Sequence, residues 1–266
     1  MVSTMNIEHG PLCRLFPGKV LDFTTLRGKH DASDPYSGFS VCGYTGDRAE
    51  HYLGCRAALA ADLGINDPQA IIQPRQVHGD KIAMLDDAFF ALDIQGQEKL
   101  LDGTDGTITA RRQMAIGINT ADCVPILLYS YQGTQLVAAI HAGWRGTLAG
   151  IAAKAVRQMV QAGARKIAAY IGVSICRQCF EVGDEVAEAF ASAGLGGEII
   201  SRNKVTGKAH IDLQAANRHQ LAGCGIAPEM IFTDGRCSRH DASGNYFSAR
   251  RIGVHSGRTF TGIMLL

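Results

Sequence analysis

The sequence predicts an α+β fold of layered α/β type, mixed β-sheets flanked by helices, in a single domain over residues 1–266. Three observations predict it. Strand-length apolar runs alternate with amphipathic helical patterns along the chain, as in folds that stack sheets against helices. Glycine is 31 of 266 residues, above the usual ~7%, and glycines stand at the ends of these segments, where turns and helix caps need them. Charged residues are only 19%, below the usual quarter, which suits a large body with much of its chain inside.

The apolar runs Lys81–Leu85, Met114–Ile118, Ile126–Tyr129, Leu136–His141, Ile167–Ile171 and Ile263–Leu266 read as buried strands. Between them lie helical patterns. Glu50–Leu63 ends at Gly64. Thr147–Gln161 places Leu148, Ile151, Ala152, Ala155 and Met159 on one face and stops near Gly163. Asp184–Ala193 and Asp212–Ala222 each open on an aspartate suited to capping. The order strand, loop, helix, strand over residues 136–171 predicts one crossover unit.

Composition narrows the function. With 26 Lys and Arg against 25 Asp and Glu, the net charge is +1, which argues against a general nucleic-acid binder. No apolar run approaches the ~18 residues of a membrane span. The N-terminal residues show no apolar signal-peptide region, so the cytoplasm is the expected location. The eight cysteines are scattered through the chain and read as reduced thiols.

Three segments carry the polar chemistry. Gln76-Val77-His78-Gly79 is a loop before a strand, where a lone histidine is ordinarily structural. Thr120-Ala121-Asp122-Cys123-Val124-Pro125 joins two strand candidates and sets a carboxylate in a buried setting, costly without a partner. Ile140-His141-Ala142-Gly143-Trp144-Arg145-Gly146-Thr147 ends a strand and opens a helix; it holds the only Trp, and Arg145 there suits an anion. Taken together, His78, Cys123 and His141 offer two imidazoles and a thiolate from separate strand edges. That set fits a catalytic zinc site with an open fourth position, and copper suits the same donors.

Cys176-Arg177-Gln178-Cys179 is the one CxxC. It lacks a second pair, so a four-cysteine zinc site is not expected, and incidental thiols are the plainer reading over a redox motif. The run Asp102-Gly103-Thr104-Asp105-Gly106 reads as turns or a cation loop, and the absence of a Glu at the twelfth position excludes an EF-hand. Arg250, Arg251 and Arg258 lie close to the last strand, ordinarily as solvated arginines.

These motifs form a set. QVHG at 76–79, DG at 102–103, TADCVP at 120–125, HAGWRGT at 141–147, IGVSICRQCFEVGDEV at 171–186 and FSARR at 247–251 occur together in order. The chain resembles the family first described as multicopper polyphenol oxidases or laccase-domain proteins, whose members are also described as purine nucleoside phosphorylases and peptidoglycan editing factor. The resemblance runs from about Asp22 to Leu266. It departs at Val173, where the family often has proline, at Ala249 and Ile252 in FSYRRD, and at Lys29 in the N-terminal STRxGG.

The resemblance implies a layered fold and a metal, usually zinc with copper also proposed, held by His78, Cys123 and His141. It implies phosphorolysis of adenosine, inosine and methylthioadenosine with adenosine deamination alongside. The expected partners are purine nucleosides and phosphate, without nucleic acid or membrane, for a monomer or homodimer. Cys123, Asp122 and Arg145 are the expected catalytic residues, with Asp122 orienting a ligand or moving a proton. Arg27, Gln76, Arg145, Ser248 and Arg250 are the candidates to hold substrate and phosphate.

Three other readings share these residues. A copper phenol oxidase needs several His-x-His pairs for its cluster, and the nine histidines form none. A metal-stabilised scaffold would favour a closed shell of four ligands. A Cys–His hydrolase, such as one editing a cell-wall precursor, would use Cys123 as nucleophile without metal.

Overall fold

A computed structural model describes residues 6–266. The strands are β1 (Ile7–His9), β2 (Val20–Thr25), β3 (Ile71–Ile72), β4 (Ile82–Leu85), β5 (Gly106–Thr109), β6 (Ala115–Thr120) and β7 (Val124–Gly133). There follow β8 (Val137–Ala142), β9 (Ala164–Ile171), β10 (Glu181–Val182), β11 (Ile200–Arg202), β12 (Ala209–Ile211), β13 (Ile231–Thr233) and β14 (Thr259–Leu265). The helices are α1 (Pro11–Leu15), α2 (Ala49–Asp62), α3 (Asp87–Phe90), α4 (Ile94–Leu101), α5 (Trp144–Leu148), α6 (Ile151–Gln161), α7 (Asp184–Ser192), α8 (Leu213–Gly223) and α9 (Ala249–Ile252).

The strands form a mixed five-stranded sheet ordered β1-β2-β14-β6-β3, a mixed six-stranded sheet ordered β13-β9-β7-β8-β5-β4, and a small sheet β10-β12-β11. The two large sheets stack because successive side chains of a strand point to opposite faces. On β7, Leu127 and Tyr129 join Ile116, Ile118 and Ile263 in the core between the sheets. Val124, Ile126 and Leu128 of the same strand face the other way, against Ile151, Ala155 and Met159 of α6 and Leu213 and Leu221 of α8. A third core places Phe23, Ala115 and Phe260 of the five-stranded sheet against Leu59 and Ala60 of α2. The order is therefore helix, sheet, sheet, helices. Each fully buried aliphatic or aromatic side chain here contributes ~1.5–3 kcal/mol. The expected layered architecture is what the chain adopts.

Each strand expected from an apolar run is present, most of them shifted or extended by a few residues. The expected crossover is β8, α5, α6, β9. Both β8 and β9 run antiparallel to β7, so they are parallel to each other with β7 between them.

Two helix expectations need correction. The segment 147–161 is not one helix: α5 begins earlier, at Trp144, and Gly150 at φ 70° in the left-handed region separates it from α6. Asp212 caps α8 by accepting the Ala215 N–H at 2.9 Å, whereas Asp184 is inside the first turn of α7 and Gly183 is its cap residue. There Asp184 pairs with Arg202 at 2.7 Å. Several strands carry no apolar signature. The two residues of β3 are too few to show one, and β5 is Gly-Thr-Ile-Thr, polar in type yet fully buried between neighbours.

Candidate metal centre

The carboxylate of Asp105 organises the site. It precedes β5, has no exposure, and accepts the backbone N–H groups of His78 at 2.9 Å and Gly79 at 2.7 Å. These bonds hold the loop before β4 with His78 at φ 64°, a left-handed conformation that a non-glycine residue adopts only when its surroundings impose it. Asp105 also receives Nδ1–H of His141 at 2.8 Å, while its own carbonyl accepts the His141 N–H at 2.8 Å. With Nδ1 engaged, Nε2 is the ring nitrogen of His141 left to ligate.

Cys123 occupies the junction between β6 and β7. The ligand atoms of His78, Cys123 and His141 lie within 4.8 Å of one another. The two imidazole rings stand edge to face with centroids 4.8 Å apart. His141 is buried, Cys123 half-buried and His78 exposed, so the cluster opens to one side. Gly143 closes its other side: a Cβ there would lie 3.1 Å from Cδ2 of His78 and 3.2 Å from Sγ of Cys123.

Electrostatics follow from this packing. Burial opposes ionisation of Cys123, but the neighbouring His141 and His78 overcome it and bring the thiol down to about 6. Burial likewise opposes charge on His141, and the Cys123 thiolate and Asp105 carboxylate overcome it, raising the imidazole to about 9. Asp105 is lowered despite its burial because His141 and the backbone N–H groups donate to it. A thiolate, two imidazoles, an oriented histidine and a small residue beside the donor atoms fit a zinc ion with one open position.

The other expected residues are placed as follows. Asp122, at φ 95°, accepts Ser238 Oγ–H at 2.7 Å and the Arg250 N–H at 2.8 Å. It does not buttress a ligating histidine; Asp105 fills that role, and the Asp102–Gly106 run expected as turns or a cation loop contains it. Gln76 is spent on the fold, since its amide exchanges two 2.8 Å bonds with the backbone of Asn119 on β6. Arg27 is likewise committed: it is 4% exposed, donates Nε–H to the Ser37 carbonyl at 2.9 Å and lies over the Phe247 ring. Arg145 is exposed and lies over the Trp144 ring, 4.2 Å from its centroid. Ser248 is fully buried and its Oγ has no hydrogen-bond partner.

A cleft of about 640 Å³ adjoins the cluster. Trp144, next to Gly143, lines it with Phe180, Glu181, Lys208 and Arg250. The three ligands do not line it; Trp144 follows Gly143, and the Arg250 backbone is bonded to Asp122, the neighbour of Cys123 in sequence.

A family model described as multi-copper polyphenol oxidoreductase laccase matches residues 22–266. The chain belongs to this laccase family. It is 48% identical to adenosine deaminase RL5 from an unknown prokaryotic organism over 244 residues, 91% of this chain and 92% of that protein. It is 36% identical to a purine nucleoside phosphorylase of Bacteroides thetaiotaomicron over 249 residues, 91% of this chain and 90% of the other. The Bacillus licheniformis hypothetical protein YfiH shares the laccase-family fold with a TM-score of 0.82 at 27% identity, covering 93% of each chain.

Proposed function

We propose that this chain is a zinc-dependent enzyme of purine nucleosides. It phosphorolyses adenosine, inosine and methylthioadenosine and deaminates adenosine at the same centre. The observation that carries this is the Asp105-organised cluster of His78, Cys123 and His141 beside an aromatic, arginine-edged cleft. The names of the laccase-family relatives, adenosine deaminase and purine nucleoside phosphorylase, support it. No helix among the described residues is long and apolar enough to cross a membrane, and we place the reaction in the cytoplasm.

Zinc, when bound, supplies Lewis acidity in a site closed on one side. The chain's residues do the rest. Trp144, half-buried in the cleft wall, offers an apolar surface to a purine, with the largely buried Phe180 behind Arg250. Arg250 lines the cleft, where its guanidinium donates to the Glu181 carbonyl at 3.0 Å and lies over the Phe180 ring, and exposed Arg145 lies over Trp144; these two would neutralise phosphate as its oxygen bonds to C1′ and the C1′–N9 bond breaks. In deamination, water adds at C6 and ammonia leaves. Asp122 keeps Arg250 in place through its backbone N–H. Ser248, two residues before Arg250, is fully buried and does not line the cleft, so we give it no part in holding phosphate.

A copper oxidase is the second reading, since two histidines and a cysteine also suit a mononuclear copper. Among the described residues, no His-rich cluster accompanies it to store four electrons. The test is product analysis of adenosine incubations with and without inorganic phosphate. Adenine and ribose 1-phosphate that require phosphate establish phosphorolysis; inosine regardless of phosphate establishes deamination. Untouched adenosine overturns the reading and leaves the cell-wall hydrolase to be tried; full activity in Cys123→Ala overturns it and removes Cys123 from the chemistry.

A further inference from the structure

A second group of metal-ligating side chains lies outside this centre. Cys176 precedes and Cys179 ends the short helical turn at Arg177–Cys179, and Cys237 and His240 follow β13. Their ligand atoms all lie within 4.8 Å of one another. Nδ1 of His240 is 3.2 Å from Sγ of Cys179 and 3.7 Å from Sγ of Cys176. Tetrahedral zinc with Zn–S of ~2.3 Å and Zn–N of ~2.1 Å sets neighbouring donors ~3.5–3.8 Å apart, so these separations bracket the expected edge. All four are present as free side chains, with no disulfide between the cysteines.

The surroundings are built for a thiolate. Sγ of Cys237 accepts the backbone N–H of Cys176 at 3.3 Å and is approached by the N–H groups of Arg239 and His240. A bridge between Ser174 and Cys237, with the Ser238 N–H donated to the Ser174 carbonyl at 3.0 Å, sets the two segments in register. The sequence reads Cys-x-x-Cys at 176–179 and Cys-x-x-His at 237–240, the paired spacing of closed structural sites.

We propose that Cys176, Cys179, Cys237 and His240 hold a second, structural zinc ion in a closed Cys3His shell. The ion clamps the segment leading into the cleft wall at Phe180 and Glu181 to the segment carrying Ser238. Ser238 in turn bonds Asp122, beside Cys123. The second site is thus a tether for the first and leaves no open position for substrate. The expectation of incidental thiols at Cys176 and Cys179 gives way to this reading. Their partners are Cys237 and His240, which only the fold brings near.

The test is zinc content of the full-length protein purified from zinc-replete medium, measured by mass spectrometry of the elements. Two zinc ions per chain are expected, one for each cluster. Cys123→Ala is expected to keep one, and its cobalt-exchanged form to show the intense visible bands of a tetrahedral thiolate site. A paired Cys176→Ser and Cys179→Ser variant is expected to fall from two to one. If that variant fails to fold, Cys123→Ala alone decides, because its second cluster is untouched. A Cys123→Ala protein without zinc, or native protein whose Cys176 and Cys179 are recovered as a disulfide, overturns the proposal. Native protein with one zinc that survives Cys123→Ala supports this site and counts against the catalytic one.

Discussion

The Asp105 carboxylate accepts Nδ1–H of His141 at 2.8 Å, and the same carboxylate accepts the backbone N–H of His78 at 2.9 Å. One fully buried side chain therefore orients the His141 ring directly and places His78 through its backbone.

Asp105→Asn is expected to weaken zinc binding at this centre by ~10–100-fold, the usual effect of losing a carboxylate behind a ligating histidine. Titration against zinc buffers of the variant and the parent measures it. Unchanged affinity would mean that His141 is held by packing alone.

Gly143→Ala separates the donor cradle from the fold. The glycine has φ −67°, ordinary for alanine, so the backbone carries no strain. The new Cβ would sit 3.1 Å from His78 and 3.2 Å from Cys123, which must give by a few tenths of an ångström. Reduced zinc affinity and turnover are expected, with the thermal midpoint of zinc-free protein near the parent's. A midpoint that falls as steeply as zinc affinity would refute a local effect.

Cys123 in zinc-free protein is expected to react with iodoacetamide at a rate that rises through about pH 6 as the thiolate forms. An ordinary thiol would rise near 8.5. Zinc loading is expected to block the reaction, because the same sulfur is then a ligand. Peptide mapping of the alkylated cysteine gives the rate site by site. Equal labelling with and without zinc would remove Cys123 from the ligand set.

Acid stability depends on a different carboxylate. Asp234 is half-buried, and Arg236 at 2.5 Å and the Tyr170 hydroxyl at 2.7 Å hold it below the usual carboxylate range. Arg236 also pairs with Glu8 of β1 at 2.7 Å, so the group ties β13 to β1. A carboxyl lowered by folding binds fewer protons folded than unfolded. Its stabilisation is complete above the unfolded value of ~3.9 and is lost as pH falls through the lower folded value. Asp234→Asn is expected to flatten the decline of the thermal midpoint below about pH 4. Parallel declines in both proteins would place the acid sensitivity elsewhere.

Much of this protein is legible in its sequence. Periodicity alone located the strands whose residues are apolar on both faces, β7, β8 and β9, because burial between two layers demands such runs. Chemistry and motif order singled out His78, Cys123 and His141. Other features carry no local signature. Asp105 stands in a glycine-rich turn indistinguishable from any other, and its role exists only because β5 pairs with β8 and brings it beside His141. Arg27 and Gln76 look like substrate ligands in the sequence, yet backbone groups occupy their polar atoms, from the loop that follows Arg27 and, for Gln76, from β6. Cys237 and His240 are 58 residues or more beyond Cys179, and the pairing of β13 with β9 is what carries them to it. Periodicity records whether a residue is buried. Which polar groups meet depends on strand order and loop register, and those are decided by the packing of the whole chain.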